Sequence, residues 1–302
     1  MIKEEEFTHF CYDKTNKYFI VLSVKEKVSR RIELPYETVY LFDSAQIGNQ
    51  IYFTGGGIPA DKGYGDQFFQ TTSRVTILQD FDTTVDDLAN MNVGRANHTL
   101  VTLNSNTIYA IGGSNTKDEI PACEVYSVDK NIWKNCASLN QRKMWVTVCV
   151  VDSKYLYAFG GSTNLQPKES NMIESLDTED KTAKLWTKIE LTSGSDIWPK
   201  SFFTGTFQLS PDSVLIFGGV INQEESDETF HFNFKTRVIT KGPNIKVKDA
   251  FHRSIPILSG KHMIIVGSNE GHVYDILDKQ WSLLERKVWN PEMGFYIKAD
   301  TC

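Results

Sequence analysis

The chain has 302 residues, 40% of them apolar and 12% aromatic, enough to build a sizeable core. Charged residues make up 23%, which excludes a disordered composition, and the net charge of −6 comes without the basic stripe of a general nucleic-acid binder. No apolar run approaches the ~18 residues of a membrane helix, and the opening MIKEEEF lacks the basic and then apolar run of a signal peptide. The expected setting is therefore cytoplasmic, with no membrane and no nucleic acid as partner.

The predicted elements are almost all strands. FTHFCYD (7–13), KYFIVLSV (17–24) and VSRRIEL (28–34) read as three of them. Five aligned segments then follow: 36–56, 94–113, 141–161, 199–219 and 248–268. Each holds two β-rich runs around a short polar turn, a hairpin signature, and four of them end in a glycine pair. The pairs begin at Gly55, Gly112, Gly160 and Gly218, and a degenerate VGS places Gly267 next. A second hairpin follows each. In 123–139 and 272–284 a tyrosine and a tryptophan stand seven positions apart, Tyr126/Trp133 and Tyr274/Trp281. Phe232 and Ile239 take those places in 230–240, Trp186 follows a longer turn in 171–191, and 73–91 is the most degenerate unit. The run GFYIKAD (294–300) has the composition of one more strand. No linker or low-complexity stretch divides the chain, so 1–302 is expected to form a single domain.

Four strands per unit at a period of about fifty residues suit a propeller repeat. A glycine pair ending the second strand, a tyrosine in the third and a tryptophan in the fourth resembles the kelch family. Gly112-Gly113 with Tyr126 and Trp133 fits this pattern in full, and the resemblance covers roughly 35–285. It implies an all-β, kelch-type β-propeller. Residues 36–285 would supply five blades, and the N-terminal strands would form a sixth, completed by 294–300. The rival arrangement is five blades and a terminal hairpin.

Function on such a scaffold is expected on the loops at one end, the second-to-third and fourth-to-first connections. The longest, 57–72, carries Tyr64, Phe68 and Phe69 among glycines; Phe68 and Phe69 read equally as the start of a strand. Loop 220–228, VINQEESDE, is acidic and reads as a solvated loop. Before the innermost strand the aligned units carry Glu37, Arg95, Arg142, Lys200 and Asp249. These charges would either form a mixed-charge channel mouth that receives a partner's acidic side chain, or pair across blades, Arg95 and Arg142 with Glu37 or Asp249. Three positions further on stand Tyr40, His98, Trp145, Phe203 and His252, read as packing of the inner layer, because Tyr, Trp and Phe are not the ligands a metal site needs.

No cofactor is expected. The cysteines at 11, 123, 136, 149 and 302 are odd in number and form no CxxC, so reduced structural thiols are expected rather than zinc. No GxSxG, HExxH, P-loop or dinucleotide fingerprint occurs. The resemblance implies a non-catalytic module that binds a protein or peptide, in the manner of ubiquitin-ligase substrate receptors or cytoskeletal adaptors. The alternative is a small-molecule enzyme at the channel mouth, of sugar isomerase or mutarotase type.

Overall fold

The computed structural model describes residues 41–58, 67–78, 82–115, 120–163, 170–250, 261–266 and 270–283, and the backbone of four further strands, Phe7–Phe10, Tyr18–Ser23, Val28–Glu33 and Ile257–Ser259. Five four-stranded sheets follow one another along the chain, each a meander with its strands in sequence order. Sheet I comprises Asp43–Ile47, Gln50–Thr54, Thr72–Ile77 and Thr83–Asp87. Sheet II comprises Thr99–Asn104, Thr107–Ile111, Cys123–Ser127 and Ile132–Cys136. Sheet III comprises Thr147–Val151, Tyr155–Phe159, Ile173–Asp177 and Thr187–Ile189. Sheet IV comprises Gly205–Ser210, Ser213–Phe217, Thr229–Asn233 and Ile239–Lys241. Sheet V comprises Ile257–Ser259, His262–Val266, Gly271–Asp275 and Gln280–Leu283. The three N-terminal strands form their own antiparallel sheet. Closure by 294–300 falls outside the described residues and stays an expectation.

Burial explains why these segments are strands. The second strand of sheets I, II and IV is buried along nearly its whole length, so both of its faces are covered. The fourth strands of sheets I and II are mostly exposed, as edges carrying charge should be. Between lie the third strands, which alternate.

The core is a series of seams between successive sheets. Tyr52 of sheet I meets Tyr126 and Trp133 of sheet II, and Tyr109 and Ile111 of sheet II meet Leu156 and Ala158 of sheet III. Phe159 of sheet III meets Ile216 and Phe232 of sheet IV, and Phe217 of sheet IV meets Tyr274 and Trp281 of sheet V. The tyrosine–tryptophan spacing has a simple cause. Tyr126 and Trp133 lie directly opposite across their hairpin with rings 5.0 Å apart, and Tyr274 and Trp281 do the same at 4.8 Å. Trp133 also reaches the neighbouring sheet, donating from Nε1 to Thr72 Oγ1 at 3.0 Å. Burying one such ring contributes about 2–3 kcal/mol.

First strands of sheets I to IV lie side by side in succession. Thr102 Oγ1 of sheet II donates to the Gln46 carbonyl of sheet I at 2.9 Å, and Thr147 Oγ1 of sheet III donates to the Thr204 carbonyl just before sheet IV at 2.9 Å. Thr99 Oγ1 bonds the Val146 carbonyl between sheets II and III. Sheet IV departs from the aromatic pattern, with Ile239 where sheets II, III and V have tryptophan. Trp198, from the preceding connection, fills that seam instead, its ring 6.3 Å from Phe159 and 5.1 Å from Phe230.

Candidate functional site

The fourth-to-first connections share one backbone register, set by the glycine pairs. The second glycine of each sheet donates its N–H to a carbonyl in the connection that opens the next sheet. Gly56 bonds Arg95 O at 2.8 Å, Gly113 bonds Lys143 O at 3.1 Å, Gly161 bonds Ser201 O at 2.8 Å and Gly219 bonds Asp249 O at 2.8 Å. The same carbonyls crowd the first glycine. A Cβ at Gly112 would lie 2.5 Å from Lys143 O, and one at Gly160 would lie 2.1 Å from Ser201 O. Only glycine fits there, and both residues also hold a positive φ of 63°.

At these four positions the side chains point inward. Arg95 is fully buried and pairs with Glu124 at 2.7 Å, while its Nη1 donates to Gly112 O and Ala122 O, each at 2.8 Å. Lys143, also fully buried, pairs with Glu174 at 2.7 Å. Burial pushes the Lys143 ammonium below the usual lysine range, opposed by its Glu174 partner. In sheet V the polarity reverses, with Asp249 facing His272 Nε2 at 2.9 Å. Sheet IV dispenses with charge: the matching residues are Ser201 and Phe230, and Trp198 packs on the latter. In each case the partner is the second residue of the third strand of the same sheet.

Two expectations are thereby corrected. Arg95 and Asp249 do not face a channel mouth, since both are excluded from solvent and bonded to partners in the sheets they open. Arg95 pairs with Glu124 rather than across blades with Glu37 or Asp249. Arg142 and Lys200 stand one residue ahead of the buried register and are exposed, so Lys143 and Ser201 are the true equivalents of Arg95. Glu37 and Tyr64 lie outside the described residues, as do Tyr40 and His252.

The surface of these connections has its own pattern. Arg142, Lys200 and Lys248 occupy equivalent exposed positions in three successive sheets. Lys248 approaches Glu224 at 3.7 Å. Three residues beyond Arg142 and Lys200 come Trp145 and Phe203, each with φ of 56°. Asn97, at φ 57°, holds the same place in sheet II and accepts from Trp145 Nε1 at 2.9 Å. The Trp145 ring stacks on Phe202 at 5.5 Å and meets Phe203 at 4.8 Å, giving a half-buried aromatic cluster on the connections that also carry exposed Arg142 and Lys200. His98, grouped with these rings by sequence, is instead buried and bonded through Nε2 to Thr54 Oγ1 at 2.8 Å.

Second-to-third connections complete this face. Phe68 is half-buried and ends a two-residue strand, Gln67–Phe68, paired with Gly57–Ile58; Phe69 lies outside it, and the third strand of the sheet starts only at Thr72. The acidic stretch is not simply a solvated loop. Val220–Ile221 and Glu224–Glu225 form a hairpin that pairs with Ser201–Phe202 beside the aromatic cluster. Sequence reasoning missed Phe202, Lys248 and Trp198; the one usable signal was the buried cation–Glu pair, which aligns Lys143 rather than Arg142 with Arg95. Among the described residues, no group of three or more His, Cys, Asp or Glu is placed to hold a metal ion, and no helix is long and apolar enough to cross a membrane.

Comparison with known proteins agrees with this architecture. The Kelch repeat and BTB domain-containing protein 2 of Cowpox virus (strain Brighton Red) is 28% identical over 136 residues, 43% of this chain. The matched stretch spans 24% of that relative's own length. The family model for the KLHDC2/KLHL20/DRC7 Kelch-repeats domain matches residues 97–294, about two thirds of the chain and a span that holds the Lys143–Glu174 ion pair of sheet III and the Asp249–His272 contact of sheet V. By that match, the chain belongs to the kelch-repeat family.

Proposed function

We propose that this domain is a non-catalytic protein-binding module, and that its partner docks on the connections carrying the aromatic cluster. The observation that carries this reading is the backbone of Trp145 and Phe203. Bulky residues at φ near 56° are outliers, and each such residue costs about 1–2 kcal/mol. Strain of this kind concentrates at ligand-contacting sites. It supplies half-buried aromatic anchors, the side chains that dominate binding energy at interfaces. Exposed Arg142 and Lys200 on the same connections, and Lys248 on the next, suit an acidic partner segment. Half-buried Phe68, on the second-to-third connection of sheet I, is proposed to extend the surface. The BTB domain in the name of the cowpox relative supports a finer proposal, that the module recruits substrates to a ubiquitin ligase.

The test is affinity capture from cell lysate with wild type and two variants. Trp145→Asn/Phe203→Asn removes both rings but keeps residues that tolerate the left-handed backbone, as Asn97 already does. Arg142→Glu/Lys200→Glu reverses the two exposed charges. Circular dichroism must first show both variants folded. Partners captured by wild type and lost by both variants support the reading. Partners that persist on both overturn it.

A further inference from the structure

We infer a second docking surface at the other end of the sheets, in the seam between sheets II and III, that takes an acidic protein segment bearing an apolar side chain. A groove of about 360 Å³ lies there, lined by residues from the first-to-second and third-to-fourth turns. Those turns emerge opposite the connections of the proposed loop-face site, so the inference does not rest on that reading. The floor is apolar, formed by Tyr109 and Val125, with Ile132 left 46% exposed at its side. Ile132 sits on a fourth strand between lysines, where a solvated edge has no need of a large aliphatic residue.

The border is cationic. Lys130 and Lys134 come from the outer hairpin of sheet II and Lys181 from the connection within sheet III, so segments of two sheets converge on one groove. Lys181 is held in place by its bond to the Thr178 carbonyl. The lining carboxylate, Glu179, is already engaged by Lys154 at 2.8 Å. A local excess of positive charge in a chain of net charge −6 runs against the bulk field. Convergent lysines around an apolar floor attract carboxylates and leave room for one aliphatic side chain between them. The volume lies in the range of ordinary binding clefts, about 300–1,000 Å³.

The test uses a defined probe: a fluorescein-labelled heptapeptide with one leucine flanked on each side by two glutamates, glycine at the ends. Its control replaces the glutamates with glutamines. Amide chemical-shift mapping on the full chain is expected to move Lys130, Ile132, Lys134 and Lys181 with the acidic peptide only. Lys130→Gln/Lys134→Gln/Lys181→Gln should weaken binding about tenfold or more, while Trp145→Asn/Phe203→Asn leaves it unchanged. Shifts absent from the groove, equal binding of the glutamine peptide, or loss of binding in the Trp145/Phe203 variant overturns the inference. Full displacement by inorganic phosphate at the peptide's own concentration also overturns it, reducing the groove to a simple anion site. Should the lysine variant fail to fold, the wild-type shift map alone decides.

Discussion

Removing Glu124 is the sharpest perturbation of the fold. The carboxylate is fully buried and accepts four bonds: from Arg95 Nη2 at 2.7 Å, from Asn92 N and Nδ2 at 2.7 Å each, and from Val93 N at 3.1 Å. Glu124→Ala leaves the Arg95 guanidinium buried without a counter-charge, although its Nη1 keeps two backbone carbonyls. Breaking a buried pair from one side costs about 3–5 kcal/mol. That is a fifth or more of a typical domain stability of about 5–15 kcal/mol, and corresponds to a fall in Tm of roughly 10 °C. Urea unfolding and thermal melts of wild type, Glu124→Ala, Glu124→Leu, Arg95→Met and Arg95→Met/Glu124→Leu form the assay, the last three closing a double-mutant cycle with wild type. The double variant should lose clearly less than the two single losses combined, because an apolar pair needs no counter-charge. Ser201 and Phe230 already show that an uncharged pair serves at this position in sheet IV. The reasoning fails if Glu124→Ala costs under about 1 kcal/mol, or if the effects of two side chains in contact simply add.

Other expectations follow from the same geometry. Gly160→Ala drives a Cβ to 2.1 Å from the Ser201 carbonyl, whereas Gly48→Ala, at φ 57° with nothing within 4 Å, meets backbone strain alone. The second should cost about 1–2 kcal/mol and the first distinctly more; equal urea midpoints would refute the crowding argument. Trp186→Ala should cost about 3–5 kcal/mol in the same assay, since the ring is buried and its Nε1 donates to Ala137 O at 3.0 Å; a loss under half of that would show that the seam collapses to fill the space. Backbone N–H groups of Asp278 and Leu277, with Lys261, lower the Asp275 carboxyl to about 2. A depressed folded-state pKa makes its stabilisation complete above the unfolded value near 4 and lost as pH falls toward 2. Carboxyl NMR titration should show that midpoint, and Lys261→Ala should raise it; an unmoved midpoint would leave the backbone bonds as the whole cause. Burial pushes the Cys123 thiol up to about 11 and raises Cys149 as well. Iodoacetamide at pH 8 should spare both thiols until urea unfolds the chain, and rapid native labelling would contradict their burial.

Strand positions were legible because glycine is physically irreplaceable at Gly112 and Gly160 and therefore marks the register. The Tyr126/Trp133 spacing was legible because residues facing across a hairpin sit at fixed sequence separation. The connections were harder. Trp145 and Phe203 occupy a left-handed position that favours glycine or asparagine, so nothing in their identity signals the turn. An alignment made on charge then takes Arg142 and Lys200 for Arg95, one residue off. Trp198 escaped for a related reason. Its packing role is set by what sheet IV lacks, the charged pair, and only the folded chain shows a loop residue moving into that seam.

The glycine-to-carbonyl bonds between sheets have an evolutionary consequence. Each uses only main-chain atoms, and the accepting residue is Arg95, Lys143, Ser201 or Asp249 without change in the bond. Neighbouring repeats therefore stay joined whatever side chain stands at the junction. Selection can then alter cations, acids or rings around the connections without loosening the joints between repeats. Binding specificity can diverge one connection at a time while the scaffold beneath it persists.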